Sequence, residues 1–327
     1  MSLPFPDAAV GTDPELAAAR SGSVLASLSH LGALQFSGED AEPFLQGQLT
    51  CDVTSIGSSR STHGAYCSPK GRMLANFLLW QEEVGFFMVL SRDIVAAVQK
   101  RILTFVLRSR VKVSDVSDSV VLHGAAGPQA DGALRDVFGD FRVEPSGIRR
   151  KDGIGTAIRL ADGRFMLAST VSSALALRQE LAGPLTPVGP RAWRWLDIRN
   201  GVPLVTVATQ DRLVPQMVNL EILGGVSFDK GCYTGQEIVA RAQHLGKVKR
   251  RLFLANVAAD ASPGDDLFSE DLGDQASGLV VNAQSSPYGG CDLLAAVQSE
   301  SRERSAVHLR SLDGPGLTFL ALPYTVT

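Results

Sequence analysis

The sequence predicts an α+β chain with largely antiparallel sheets, followed by a small all-β unit. Three observations carry this. Up to Leu196, strand-like runs, hairpins and helical runs alternate. The hairpins close on short polar turns, Gln81-Glu82-Glu83 and Asp162-Gly163, which join antiparallel neighbours. Beyond Arg251 helical periodicity nearly vanishes, and short apolar runs are divided by Pro, Gly and Asp clusters, the texture of a small barrel or sandwich.

Taken in order, residues 1–22 read as a loose arm with a helical piece around Glu15 to Arg20. Residues 31–36 suit a strand. Ser37-Gly38-Glu39-Asp40 then opens a helix running through Phe44, Leu45 and Leu49, with Pro43 in its first turn, where proline is tolerated. Residues 61–70 are polar and marked by turns at Gly64 and Ser68-Pro69-Lys70-Gly71. Strands follow over 73–80 and 85–90. A helix over 92–108 places Ile94, Val95, Val98, Ile102, Phe105 and Val106 on one face. Short strands at 111–113 and 120–122 flank the acidic, serine-rich residues 114–119, a candidate domain boundary. A weak helix over 129–138, a hairpin of 156–160 with 164–168, and a helix over 172–181 come next. The proline-bearing 183–190 stretch ends that helix, and Trp193 starts another element. Strands are then expected at 252–257, 276–282, 293–297, 306–309 and 318–320.

The chain has 327 residues, enough for two or three domains, and is 45% hydrophobic. A net charge of -3 supplies no global basic field, so broad binding to nucleic acid is not expected. Cys51, Cys67, Cys232 and Cys291 are far apart with no Cys-x-x-Cys pair, which argues against a zinc ribbon, a chain-borne iron–sulfur cluster or a disulfide scaffold. His30, His63, His123, His244 and His308 lack partners at metal spacing, so no metal site is assigned. With no signal-type leader and no apolar run long enough for a bilayer, a cytoplasmic protein without membrane contact is expected.

One run stands out: Lys230-Gly231-Cys232-Tyr233-Thr234-Gly235-Gln236-Glu237. A helix pattern follows it, and Thr234 with Glu237 has capping-box spacing. A thiol just before a helix N-terminus, with an ammonium two residues away, is placed to ionise. Cys232 is therefore the candidate reactive or ligand-binding thiol, with Lys230 beside it; the plain alternative is a small buried cysteine in a tight turn. Tyr233 is placed to pack on a ring or donate a hydrogen bond, and Gln236 and Glu237 to orient a ligand. Glu237 is equally explained by the cap, and Arg241 by an i,i+4 pair with it. Asn219, in the Pro-Gln-x-x-Asn turn, has two readings: a contact to a ligand's polar edge, or a brace for its own turn. Lys247, Lys249, Arg250 and Arg251 form a basic cluster suited to carboxylates; RNA phosphate is the rival ligand, and a solvated linker is the plain alternative.

Three stretches resemble one family: Phe44-Leu45-Gln46-Gly47-Gln48-Leu49-Thr50-Cys51-Asp52-Val53; Tyr66-Cys67-Ser68-Pro69-Lys70-Gly71-Arg72-Met73; and Val214 to Leu220 with Gly224 to Arg241. Together they look like the YgfZ family of folate-binding proteins, related to the aminomethyltransferase (T-protein) of the glycine cleavage system. The resemblance implies two α+β domains with antiparallel sheets and a C-terminal β-barrel around a central channel. Its boundaries would be 1–50 with 118–200, then 51–117, a motif segment 201–250, and a barrel 251–327. It implies tetrahydrofolate or a one-carbon folate as ligand. Its implied role is in assembly or repair of iron–sulfur enzymes, tRNA-modifying ones included, with iron–sulfur client or assembly proteins as partners; contact with RNA through the basic cluster is open to the chain but is not expected. The motif cysteine, here Cys232, is the family residue most tied to activity.

Two departures bear on chemistry. The relatives' acidic pair in the second stretch is missing from Gly71-Arg72-Met73-Leu74-Ala75-Asn76. Where they bring a glutamate to the pterin, this chain reads Asp197-Ile198-Arg199-Asn200-Gly201, so Arg199 stands in that place and Asp197 is the substitute acid. Both losses count against aminomethyl transfer, which is kept as the alternative function. The candidate site residues are thus Cys232 and Lys230 for chemistry, with Asn219, Tyr233, Gln236, Glu237, Arg241, Asp197 and Arg199 for the cofactor.

Overall fold

The computed structural model describes residues 13–141, 146–244 and 248–326. The chain runs α1 (Asp13–Ser21), β1 (Val24–Ser27), β2 (Leu31–Ser37), α2 (Ala41–Gln46), β3 (Ser61–Cys67), β4 (Met73–Glu82), β5 (Gly85–Ser91), α3 (Val95–Val106), β6 (Lys112–Asp115), β7 (Val120–Ala126) and α4 (Ala130–Phe138). It continues with β8 (Ile148–Lys151), β9 (Gly155–Arg159), β10 (Phe165–Thr170), α5 (Ala174–Leu181), β11 (Thr186–Val188), α6 (Pro190–Arg199), α7 (Gln236–His244) and β12 (Arg250–Val257). It ends with β13 (Asp266–Ser269), β14 (Ala276–Ser285), β15 (Cys291–Gln298), α8 (Ser299–Arg304), β16 (Val307–Leu309) and β17 (Leu317–Leu320). The sheets have the orders β11-β1-β7-β10-β9-β8, β3-β4-β5-β2-β6 and β16-β13-β14-β15-β12-β17. The β1–β11 pair is parallel; the other described pairings are antiparallel, so the α+β class holds.

The chain gathers into two compact units, each assembled from separate stretches: Met1–Phe44, Thr54–Thr62 and Leu78–Arg194 in one; Leu45–Val53, His63–Phe77 and Trp195–Thr327 in the other. In the first, α4 and α5 cover one face of the β11-to-β8 sheet. Leu134, Val137, Leu177 and Leu181 bury against Leu25, Phe165 and Leu167. Their i, i+3 and i, i+4 spacing supplies the apolar stripe that packs there. The second unit has its own core, where Ala255, Val257, Leu267, Val280, Leu293, Ala295, Val297 and Leu309 fill the inside of a curled sheet. The sheet curls because its edge strands approach each other: His308 of β16 bridges Gly316, next to β17. Register shifts at Leu267/Phe268 and Val280/Asn282 sharpen the bend. The expected barrel or sandwich is therefore a half-barrel.

Several elements differ from expectation. Residues 61–67 form β3, which lacks an apolar alternation because Gly64 stands in its middle. A Cβ there would lie 2.6 Å from the Phe77 ring and 2.7 Å from Cys51 Sγ, so the strand packs by having no side chain. β11 contains Pro187 and reads as a breaker; it is tolerated because it lies at a sheet edge. β13 is short and polar at its start. The helix expected through Leu49 stops at Gln46, ahead of Gly47. The helix after the Cys232 run starts at Gln236, so Gly235 rather than Thr234 precedes it and the capping box does not form in that register. The piece expected around Glu15 to Arg20 is α1; the arm before it, residues 1–12, lies outside the described residues, as does Lys247 of the basic cluster.

Candidate functional site

Within the second unit the three motif stretches meet. Thr50 is their hub: fully buried, its Oγ1 donates to the Gly225 carbonyl at 2.6 Å and accepts from the Ala65 amide at 2.8 Å. Its carbonyl takes the Ser227 amide at 2.9 Å, and its amide donates to Ala65. One threonine thus ties the first stretch to the third and to Ala65, the residue just before the second. Gln46 braces the same loop, its Nε2 donating to Asp52 Oδ1 at 2.9 Å and its Oε1 accepting from the Val53 amide at 2.7 Å.

The second and third stretches also lock through two glycines. Gly71 (φ +69) and Gly235 (φ +83) both adopt left-handed backbone, and a Cβ on Gly235 would lie 2.5 Å from the Ser68 carbonyl oxygen. A Cβ on Gly71 would lie 2.8 Å from Ile238. Both sites require glycine on conformation and on space. The Ser68 turn is fixed beneath by its hydroxyl, which donates to Asp211 Oδ1 at 3.0 Å.

Lys230 departs from the expectation that its charge serves Cys232. Its Nζ donates to the carbonyls of Gln46, Leu49 and Cys51, each at 2.7 Å, and lies 5.3 Å from the Tyr233 ring centroid. Three donors are all an ammonium has, so none remains for a ligand. Burial lowers the Lys230 pKa, while Cys51 and Asp52 oppose that. The thiol that feels the ammonium is Cys51, whose carbonyl it binds; burial still pushes the Cys51 pKa up to about 12. Cys67 is likewise pushed to about 12 by burial, and burial also raises the Tyr233 hydroxyl. Cys51, Cys67 and Cys291 are buried, and Cys232 is the exposed thiol. The buried-turn alternative for Cys232 is therefore excluded. It sits four residues before the first residue of α7, beyond the turn in which a helix dipole acts strongly.

The other candidates divide. Tyr233 is buried on the loop, and Gln236, the first residue of α7, is partly exposed. Glu237 and Arg241 form the plain i,i+4 pair at 3.7 Å with both side chains mostly exposed, a contact of small energy. Asn219 is a brace. It is fully buried with φ +57, its Nδ2 donates to the Leu252 carbonyl at 3.0 Å, and its Oδ1 accepts the Leu252 amide at 3.3 Å. It thus pairs with β12 as a neighbouring strand would. Asp197 and Arg199 both lie on α6. Arg199 Nη1 is 3.7 Å from Asp292 Oδ2, and that buried carboxylate also accepts from Trp195 Nε1 at 2.9 Å and Asn256 Nδ2 at 2.7 Å. In the basic cluster Arg250 donates to the Ala276 carbonyl at 2.9 Å and Arg251 pairs with Glu221, so those two charges are committed internally, while Lys249 is exposed.

Sequence reasoning missed Thr50 and Asn76. The Asn76 amide donates to the Pro203 carbonyl at 2.7 Å and accepts from the Val205 amide at 2.7 Å. Asn76 closes the run in which the resemblance expected an acid. Its use here is to hold residues 203–205. Thr50 lies inside the first quoted stretch and Asn76 at the end of the Gly71-to-Asn76 run, but a buried hydroxyl or amide that binds backbone has no spacing signature. Among the described residues no group of three or more His, Cys, Asp or Glu side chains is placed to hold a metal, and no helix is long and apolar enough to cross a membrane.

Comparison with known proteins bears on this architecture. A family model described as the GCVT N-terminal domain matches residues 4–152. The crystal structure of glycine cleavage system aminomethyltransferase T from Bartonella henselae superposes with a TM-score of 0.77 at 20% identity, over 95% of this chain and 88% of that one. A heterotetrameric sarcosine oxidase from Corynebacterium sp. U-96, in complex with pyrrole 2-carboxylate, reaches a TM-score of 0.35 at 11% identity over 49% of this chain and 79% of that one, too little to bear on the fold. The α+β units, the half-barrel and the placement of the GCVT N-terminal match together give this chain an aminomethyltransferase-like fold.

Proposed function

We propose that the chain is a tetrahydrofolate-binding accessory protein of the YgfZ kind, acting in the cytoplasm to support assembly or repair of iron–sulfur enzymes, tRNA-modifying ones included. Cys232 is its working thiol, handling a sulfur, iron or one-carbon species on a client protein. The observation that carries the reading is the contrast among the thiols: three are buried, while Cys232 is exposed on a loop fixed by all three motif stretches. A loop so heavily braced presents its exposed side chain in a defined place. The aminomethyltransferase-like fold supports a folate ligand, with Tyr233 on the loop, Gln236 at the start of α7, and Asp197 and Arg199 on α6 as its contacts. The domain limits 1–50 with 118–200, 51–117, 201–250 and 251–327 belong to the same reading. The test is Cys232→Ala in cells, read on iron–sulfur enzyme activities, beside calorimetric titration of the protein with tetrahydrofolate. Activities fall and tetrahydrofolate binds if the reading holds; unchanged activities remove the thiol's role, and absent heat removes the ligand.

A second reading, folate-dependent aminomethyl transfer, is favoured by the similarity to the Bartonella henselae aminomethyltransferase. Two observations weigh against it: Asn76 spends its amide on backbone, and Arg199 stands beside a buried aspartate as a cation. Tetrahydrofolate-dependent release of ammonia from an aminomethyl carrier, with the methylene group passing to the folate and the carrier set free, would establish it; no turnover removes it.

A further inference from the structure

The carbonyls of Gln46, Leu49 and Cys51 converge on one point, each 2.7 Å from Lys230 Nζ. The Tyr233 ring, 5.3 Å away, faces the same ammonium. Three oxygens and a π-face are the surroundings a primary ammonium ion takes. Gln46 is the last residue of α2, whose final carbonyls lack intrahelical donors and carry the negative end of its dipole. The other two carbonyls turn inward in the loop that follows. Left empty, this arrangement would bury three acceptors against one another.

We propose that residues 46–51 form a carbonyl cage for an ammonium ion and that Lys230 is its built-in occupant. Lys230 is then a positioning residue: it clamps the loop carrying Cys232 onto the first motif stretch and touches no ligand itself. The cage stands on its own geometry, whereas its service to Cys232 rests on the function proposed above. An alkylammonium ion from solution will fill the cage once the side chain is removed. Arginine will not, because a planar fork directs its N–H groups in one plane and cannot reach three converging oxygens.

The test uses the full chain carrying Lys230→Gly, with iodoacetamide labelling of each cysteine read by mass spectrometry. Loss of charge-assisted bonds frees the loop, so labelling of Cys51 rises about tenfold or more and the rate at Cys232 changes. Methylammonium returns both toward wild type. Tetramethylammonium, of equal charge but without N–H, does not, and Lys230→Arg behaves like the glycine variant. If the glycine variant is unfolded, methylammonium-specific recovery of its circular dichroism is the same test. The proposal is overturned if Cys51 stays protected in Lys230→Gly, if the two salts act alike, or if neither acts. A Cys232 rate indifferent to Lys230 removes the positioning role. None of these readouts involves folate, so failure of tetrahydrofolate to bind wild type would strike the proposed function and leave this result standing.

Discussion

At the scale of single residues, the site is held by buried polar atoms whose partners are backbone. Thr50 is the clearest case. Replacing it by valine keeps the shape and removes the hydroxyl, leaving the Ala65 amide and the Gly225 carbonyl unpaired in the interior. Thr50→Val should cost about 2–4 kcal/mol, and Thr50→Ser much less, as read from urea midpoints. Cys51 gives a prediction in pH. Its folded pKa, about 12, lies above its ordinary value of 9.0, so the folded protein holds a proton that the unfolded chain releases. The stabilisation is complete below pH 9.0 and declines as pH rises toward about 12. Within that window Cys51 contributes a loss of about 1.4 kcal/mol per pH unit. Cys51→Ala should flatten the stability–pH curve by that slope relative to wild type; parallel curves would mean that the thiol is not sealed in the interior.

At the scale of elements, the start of α7 depends on where glycines fall. Gly235 (φ +83) has the Ser68 carbonyl and Gly71 against it, whereas Gly231 has open space around it. Gly235→Ala should therefore destabilise the second unit by about 1–3 kcal/mol, and Gly231→Ala should stay within about 0.5 kcal/mol of wild type in thermal or urea unfolding. Equal effects would mean that the Ser68 turn does not seat against the loop. The same contrast explains what the sequence disclosed. The helix over 92–108 was legible because Val95, Val98 and Ile102 repeat at helical spacing and bury one face, although its first turn, Arg92–Ile94, is 3-10. The strands after Arg251 were legible as short apolar runs between breakers. β3 was not, because strand residues that pack through a glycine and pair polar side chains lack the period of a strand. The Lys230-to-Glu237 run was legible as a site from its composition. The purpose of its lysine was not, since the three partners are carbonyls, which every residue possesses.

At the scale of the whole molecule, chain order and packing order disagree. The second unit draws Leu45–Val53 and His63–Phe77 out of the N-terminal half and joins them to everything after Trp195. No local pattern could reveal this, because it rests on contacts such as Thr50 to Gly225 and Lys230 to Gln46, separated by 175 and 184 residues. Contacts so remote close large loops and form late in folding. Until residues 195–327 are present, the first motif stretch lacks the ammonium and the Gly225 carbonyl that secure it, and the second lacks Asp211, Leu213 and Gly235, against which it seats. A fragment ending at Arg194 should therefore expose both of its cysteines, Cys51 and Cys67, to a thiol reagent under native conditions. The intact chain should present one reactive thiol, Cys232, since the other three are buried. Counting thiols by labelling and peptide mapping distinguishes the cases. Two labelled cysteines in the fragment mean that the C-terminal portion seals the site, whereas a fragment that protects both would mean that residues 1–194 build this region by themselves and that the interleaved unit is not a folding unit.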